Sequence, residues 1–571
     1  MPHLFHRPLL CAWLLLLGTL AIGQRSVLLF DADGPLPKGF RRPTALPRIQ
    51  DADREQLALL MRLRRNGHLE ASVDSCTSAN DTLTCRVHIG PQYKWAALRF
   101  DGVPQEYLSR VHARERAFRD RPTSPAQLVR LFEELLVECE ERGFPFAVIG
   151  LDSLDRDDRT LSAVVRMDPG VRVIVDSVIV RGTAKVSPRF LYQQIGIRPG
   201  DPYNESLIGA LEARTKEMPF VSQEQKPYVL FGEELTKLYL FLNERKASSI
   251  NGILGVQPDP LTGRVRFTGD VELRLRNALR RGELIDLNWR SLADRTQDLK
   301  LRFDMPFLFN TAFGTDLGLK LFRRDTSFLE VNGRVGITYF LRQGDRLLGF
   351  VNSRSNRTLG QNAQFVPGLA DLNILTYGLG LRRERYDYAR NPRRGYFVEF
   401  EGSVGQKESE VPDPDDMTMT SDQRTVQYEV ELNAAYHIPW GRRGTIRIAT
   451  LGGSMINDVL FRNELFRIGG IKSLRGFDDA SISASSYVVG TLEVRLLLEE
   501  NSNAFIFVDQ AWWEDLSGQE RIWDDPLGLG VGTSFETKAG IFSLTYALGS
   551  QFNVPFSFRG GKVHFGFTSL F

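Results

Sequence analysis

The stretch Tyr487-Val488-Val489-Gly490-Thr491-Leu492-Glu493-Val494-Arg495-Leu496-Leu497-Leu498 sets Val488, Leu492, Val494, Leu496 and Leu498 on one side and Thr491, Glu493 and Arg495 on the other. A period of two is the signature of a strand whose faces meet different surroundings. An apolar face opposite a charged one fits lipid outside and a wet lumen inside. The C-terminal segment repeats the pattern. Val563, Phe565, Phe567 and Phe571 share a face opposite His564, Gly566 and Thr568.

Working outward from these segments, sixteen stretches of this kind run from Ala247 to the end, beginning with 247–257, 264–276 and 283–292 and closing with 503–513, 527–537, 540–550 and 562–571. Connections after even-numbered segments are short, as in Arg342-Gln343-Gly344-Asp345 and Pro439–Gly444. The long ones, 354–371, 407–424, 458–486 and 514–526, follow odd-numbered segments. Short periplasmic turns, long external loops and an even count describe an outer-membrane barrel with both ends on the periplasmic side. Closure is demanded by the backbone, because an open sheet edge in lipid leaves amides unpaired at several kcal/mol each. A soluble sandwich or propeller is disfavoured, since no blade-length repeat recurs.

Composition agrees. The chain has 571 residues, 72 Lys+Arg against 70 Asp+Glu, 42% hydrophobic residues and four cysteines. Near-neutral charge argues against a nucleic-acid binder, and so few cysteines exclude a disulfide scaffold. His3, His6 and Arg7 precede the apolar run Leu9–Leu20, and Ala21-Ile22-Gly23 offers a cleavage site. Residues 1–23 therefore read as a signal peptide of an exported protein.

Between leader and barrel the texture is mixed α/β. Leu57, Leu60, Met61 and Arg64 mark a helix ending at Gly67, and Leu128, Leu131, Phe132, Leu135 and Cys139 mark another ending at Gly143. Each is followed by two short strands. A third helix is expected near Tyr203–Lys216 and a closing strand at Lys237–Asn243. Gly67-x-x-x-Ala71-x-Val73 matches Gly143-x-x-x-Ala147-x-Ile149, so the segment divides into repeats at 24–91, 92–170 and 171–246, followed by the barrel at 247–571. The fold class is thus tandem α+β units before an all-β, sixteen-stranded antiparallel barrel. Cys76 and Cys85 fall on adjoining strands, where a cross-strand disulfide and two core thiols both fit.

The densest candidate site is Arg475-Gly476-Phe477, within the loop 458–486, together with Glu493 and Asp509 on the two strands that follow. An arginine on a loop and two acids on the adjacent wall suit a loop folded into the lumen and pinned by charge-assisted hydrogen bonds; standing alone, they equally fit three unrelated charges among the chain's 72 basic and 70 acidic residues. Gly528-x-Gly530-x-Gly532 precedes no helix, so it is not a phosphate loop. The seven histidines show no metal spacing, no nucleophile–base set is recognisable, and no cofactor is expected.

On these residues the chain resembles the bacterial outer-membrane assembly factors, the BamA and TamA surface-antigen family and its translocation relatives. The resemblance implies that Arg475, Gly476 and Phe477 form the family's lumen-loop motif, docked on Glu493 and Asp509. It also implies that Asn391, Pro392, Arg394 and Gly395 form its periplasmic turn between strands eight and nine, and that Gly566, Phe567 and Phe571 carry its C-terminal strand signal. The N-terminal repeats resemble POTRA domains, and three of them suit a TamA-like layout. Gln510-Ala511 stands where many relatives place a glycine soon after the acid, which puts local strand geometry in question.

The implied function is a non-enzymatic insertase or translocase. Its arm would capture unfolded outer-membrane clients by β-augmentation, and a weak seam between the first and last strands would admit client strands into lipid. Asn251, Gly252 and Gly255 give the first strand a polar, glycine-rich edge. Outer-membrane lipids and an inner-membrane or periplasmic protein contacting the arm are the further partners expected. A passive outer-membrane channel or receptor is the alternative. It leaves the arm and the loop motif without a task.

Overall fold

The computed structural model describes residues 26–40, 43–46, 51–79, 82–258, 265–291, 296–324, 327–341, 345–359, 368–388, 391–412 and 420–571. The leader lies outside these residues. The described chain up to Val175, with Gly200–Ser206, forms one compact unit, and Asp176–Pro199 with Leu207–Phe571 forms another.

Each α/β repeat is one small sheet in which the opening strand runs parallel to the closing one, after an antiparallel hairpin. Ser26–Ala32 pairs in parallel with Thr82–His88, Lys94–Gly102 with Thr160–Asp168, and Ser177–Arg181 with Thr236–Glu244. Helix Pro125–Glu141 buries Leu131, Leu135 and Cys139 on its sheet, along the expected stripe. Helix Ala52–Arg65 differs. It buries Leu59 and Leu63, while Leu57 and Met61 are exposed. Six apolar residues between 57 and 63 offer two helical stripes, and the sheet decides between them. The helix expected over Tyr203–Lys216 is two short ones, Glu205–Gly209 and Leu211–Lys216. The repeated glycines have one job. Gly67 (φ +93°) and Gly143 (φ +98°) end their helices in the left-handed region. Their carbonyls accept from Tyr93 N at 2.8 Å and Val173 N at 2.7 Å, close to where the next repeat begins.

Cys76 and Cys85 face each other on neighbouring strands and are disulfide-bonded. For so short a loop the chain-entropy model gives about 2–3 kcal/mol. Replacing both by Ser should therefore raise amide exchange in Ser72–Ala79 and Thr82–His88 of the full chain, while the barrel ladder is unaffected.

Among the described residues sixteen strands close into the barrel, from Ser249–Pro258 to Lys562–Leu570. The protein is inside out. Val335, Ile337, Leu379, Leu492, Leu496 and Val563 are exposed on the outer wall, while Asp316, Glu330, Glu429, Glu493 and Asp509 are buried inside. Ion pairs brace the lumen between strands that are not neighbours. Arg334 on the sixth strand (Phe328–Phe340) donates twice at 2.8 Å to Glu401 on the ninth (Gly395–Pro412). Arg354 on the seventh (Arg346–Thr358) donates to Glu429 on the tenth (Thr420–Trp440) at 3.0 and 3.2 Å.

The expected loop 407–424 is mostly ladder, since the ninth and tenth strands pair as far as Pro412 and Thr420. Beyond the bilayer no lipid enforces an apolar face, so the alternation that marks the other strands fades there. The loop 514–526 likewise contains a short strand, Ile522–Asp524, paired to Trp513–Asp515. The seventh strand extends to Thr358, and the middle of its following loop lies outside the described residues.

Candidate lumen-loop site

The loop between the eleventh strand (Gly444–Ile456) and the twelfth (Ser486–Leu497) turns into the barrel. Its own hairpin, Phe466–Ile468 with Ile482–Ala484, stiffens it. Ile468, Leu474, Phe477, Ile482 and Ala484 from the loop pack with Tyr487, Val489, Ala511 and Trp513 from the inner wall. Burying these apolar groups removes them from a wet lumen and fixes the loop's position.

Arg475 sits at the centre of the site. Its Nε and Nη2 donate to the two oxygens of Asp509 at 2.7 Å each, and Nη1 donates to Glu493 Oε2 at 2.9 Å. Its backbone N–H also reaches Asp509, at 3.2 Å. The guanidinium lies 3.4 Å above the Phe507 ring, which adds a cation–π contact in a desolvated place. Asp509 and Glu493 are 1% and 2% exposed. Two carboxylates so buried need partners. Thr491 supplies one to Asp509 at 2.8 Å, and Arg495 Nε supplies one to Glu493 at 2.9 Å.

Glycines shape the bed. A Cβ on Gly528 would lie 2.1 Å from the carbonyl oxygen of Arg475, and one on Gly549 would lie 2.6 Å from that of Gly476. Gly530 and Gly532 leave room for the Phe507 and Phe505 rings. The Gly-x-Gly-x-Gly run is therefore a groove in the wall for the loop and the aromatic layer beneath it. Gly476 itself (φ +96°) takes a conformation that an L side chain resists. The thirteenth strand stays regular through Gln510-Ala511, from Asn503 to Asp515. Ala511 is small enough to lie buried under the loop.

The turn at 391–395 connects to this site. Asn391 Oδ1 accepts from Arg495 and Asn503, each at 3.2 Å, and Arg495 in turn holds Glu493. Pro392 is buried and Arg394 exposed. Gly395 opens the ninth strand at φ +124°, with Arg385 O only 1.8 Å from where a Cβ would stand. Sequence reasoning did not find Arg495 as the link, nor Arg467 on the loop's far side. Arg467 donates to Glu330 on the sixth strand at 2.8 Å and covers the Phe322 ring at 4.1 Å. Lys407, wholly buried, pairs with Glu464 and stands over Phe461. The loop thus spans the lumen from strands twelve and thirteen to strands six and nine.

At the seam, Phe571 N donates to Ser248 O at 3.1 Å, Phe567 rests 4.8 Å from the Phe542 ring, and Phe571 is exposed. Gly566 pairs with Ser543. Asn251 pairs with Thr568, whereas Gly252 and Gly255 pair only with the second strand. Among the described residues no cluster of three His, Cys, Asp or Glu is arranged to hold a metal.

The Omp85 superfamily domain matches residues 277–568, which take in the lumen loop, the 391–395 turn and the last strand as far as Thr568, but not the first two strands of the barrel. The chain belongs to the Omp85 superfamily. Among solved structures it is similar to CdiB from Acinetobacter baumannii (13% identity, 84% of this chain and 90% of that one, TM-score 0.54). It is also similar to CdiB from Escherichia coli (14%, 91% and 97%, TM-score 0.54). BamA from Haemophilus ducreyi lacking POTRA domains 1–3 matches at 15% identity over 84% of this chain and all of that one, with a TM-score of 0.44. No curated protein sequence matches the chain. The Escherichia CdiB match is long enough to take in α/β units as well as the barrel. As an Omp85 protein the chain resides in the outer membrane, with its N-terminal units in the periplasm. Its work lies in the insertion or secretion of outer-membrane proteins, a task the family in general performs without enzymatic chemistry.

Proposed function

We propose that this Omp85 protein inserts or translocates client chains through the seam between its first and last strands, with a TamA-like arm of three repeats that collects them. The observation that carries the reading is the ladder at closure. The first strand forms ten residue pairs with the second, but only three with the last: Ser249↔Leu570, Ile250↔Ser569 and Asn251↔Thr568. The other side of the last strand forms seven. Backbone groups of Lys562–Phe567 on the seam side therefore offer a client strand the pairing that lipid cannot. On the arm, the edge strands Val148–Asp157 and Val221–Phe231 expose Val148, Leu154, Tyr228 and Leu230, which supports capture by β-augmentation. Client folding in the bilayer supplies the driving force.

The partners expected on this reading are unfolded outer-membrane proteins, the surrounding lipid and a protein contacting the arm. The lumen braced by ion pairs and filled by the loop disfavours a passive wide pore. Joining Ile250→Cys to Ser569→Cys should lock the seam. Client assembly in cells depleted of wild-type protein should fall at least tenfold under oxidising conditions and return with reductant. Undiminished assembly with the bond formed would sink the proposal.

A further inference from the structure

The lumen loop touches both sides of the seam. Asp478 Oδ1 accepts from Lys562 Nζ on the last strand at 2.6 Å. Asp479 faces Arg290 on the third strand (Leu284–Ser291) at 3.9 Å, and Lys472 donates to Glu272 on the second (Val265–Arg276) at 3.4 Å. Glu272 is itself the ladder partner of Asn251, the last first-strand residue paired across the seam. Lys562 stands six residues beyond Thr568, the last paired position of the final strand. At about 3.3 Å per residue that is roughly 20 Å beyond the end of the ladder. The ion pair therefore acts where backbone pairing between the two strands has stopped.

The loop is built to present these charges. Gly470 (φ +86°) has no Cβ where the Asp479 carboxylate oxygen lies 1.6 Å away, and Gly469 (φ +117°) lets the Asp478 carbonyl approach to 2.3 Å of the same point on its own backbone. The Arg475 cluster fixes the loop three residues earlier on strands twelve and thirteen.

We propose that Lys472, Asp478 and Asp479 are positioning residues of an electrostatic latch, through which the anchored loop holds the last strand to the second and third strands across the seam. The latch rests on the seam reading above. Its pairs are partly exposed, Lys562 and Asp478 being 34% and 73% accessible, so each is weak and reversible. That suits a closure that must open and reclose.

The test is amide hydrogen exchange of the full-length protein in lipid, followed in peptides covering 249–251 and 562–570. Asp478→Asn with Asp479→Asn should speed exchange there by roughly two- to five-fold per pair lost, with the arm unchanged and the loop still protease-resistant. Raising ionic strength should narrow the difference from wild type. Exchanging the partners, Asp478→Lys with Lys562→Asp, should restore slow exchange. Unchanged exchange in the Asn variant, or a charge swap that fails to restore it, overturns the latch. Exchange reports opening without a client. A faster seam combined with normal assembly in the disulfide-locked protein would therefore uphold the latch and reject the insertion pathway.

Discussion

Arg475→Ala should abolish most client assembly while leaving the arm folded. The substitution removes three side-chain hydrogen bonds and a ring contact at once. It leaves Asp509 with Thr491, and Glu493 with Arg495, as their remaining side-chain partners, in a place where both acids are almost wholly buried. Breaking one side of such a cluster costs about 3–5 kcal/mol. The far half of the loop stays attached through Arg467 and Glu464, so the segment around 469–480 should swing free and become sensitive to protease. Arg475→Lys keeps the charge but loses the fork that spans two carboxylates, and should recover little. If the groups act as one cluster, Arg475→Ala with Glu493→Ala should be no worse than the single change. Strictly additive losses, or normal assembly in Arg475→Ala, would show that the cluster is not what holds the loop.

Gly528→Val should give nearly the same defect without touching a charge. Its side chain would be driven into the carbonyl of Arg475, a backbone atom that cannot rotate away. The wall or the loop must shift, and overpacking of this kind costs about 1–3 kcal/mol or more. Gly490→Ala on the twelfth strand is the control, because its Cβ would meet only Gln510 O at 3.8 Å. Protease sensitivity in Gly528→Val but not in Gly490→Ala would separate the seating of the loop from the general cost of altering a barrel glycine. Equal behaviour of the two variants would count against the groove.

Much of this architecture was legible because a bilayer imposes simple rules. A strand in lipid must alternate, and Val563, Phe565 and Phe567 do so without exception. The rules stop at the membrane's edge, which is why the ladder beyond Gln406 was read as loop. In the helix Ala52–Arg65 the apolar residues outnumber the space on one face, so composition could not choose Leu59 and Leu63 over Leu57 and Met61. The glycine run at 528–532 was visible as letters, but its use depended on a loop some fifty residues earlier in the chain.

The sequence by itself determined that there is a barrel of sixteen strands, because the alternation is local in periodicity and closure is fixed by the cost of an unpaired amide in lipid. The setting of Arg475 against Glu493 and Asp509 was legible only through the family resemblance. Only the tertiary structure decided that Arg495 ties the turn at 391–395 to the loop, that Arg467 and Lys407 hold its far side, and that the seam closes on three residue pairs. These depend on where a closed cylinder brings strands two, three, six, nine and sixteen around a common lumen, and no spacing along the chain encodes that distance.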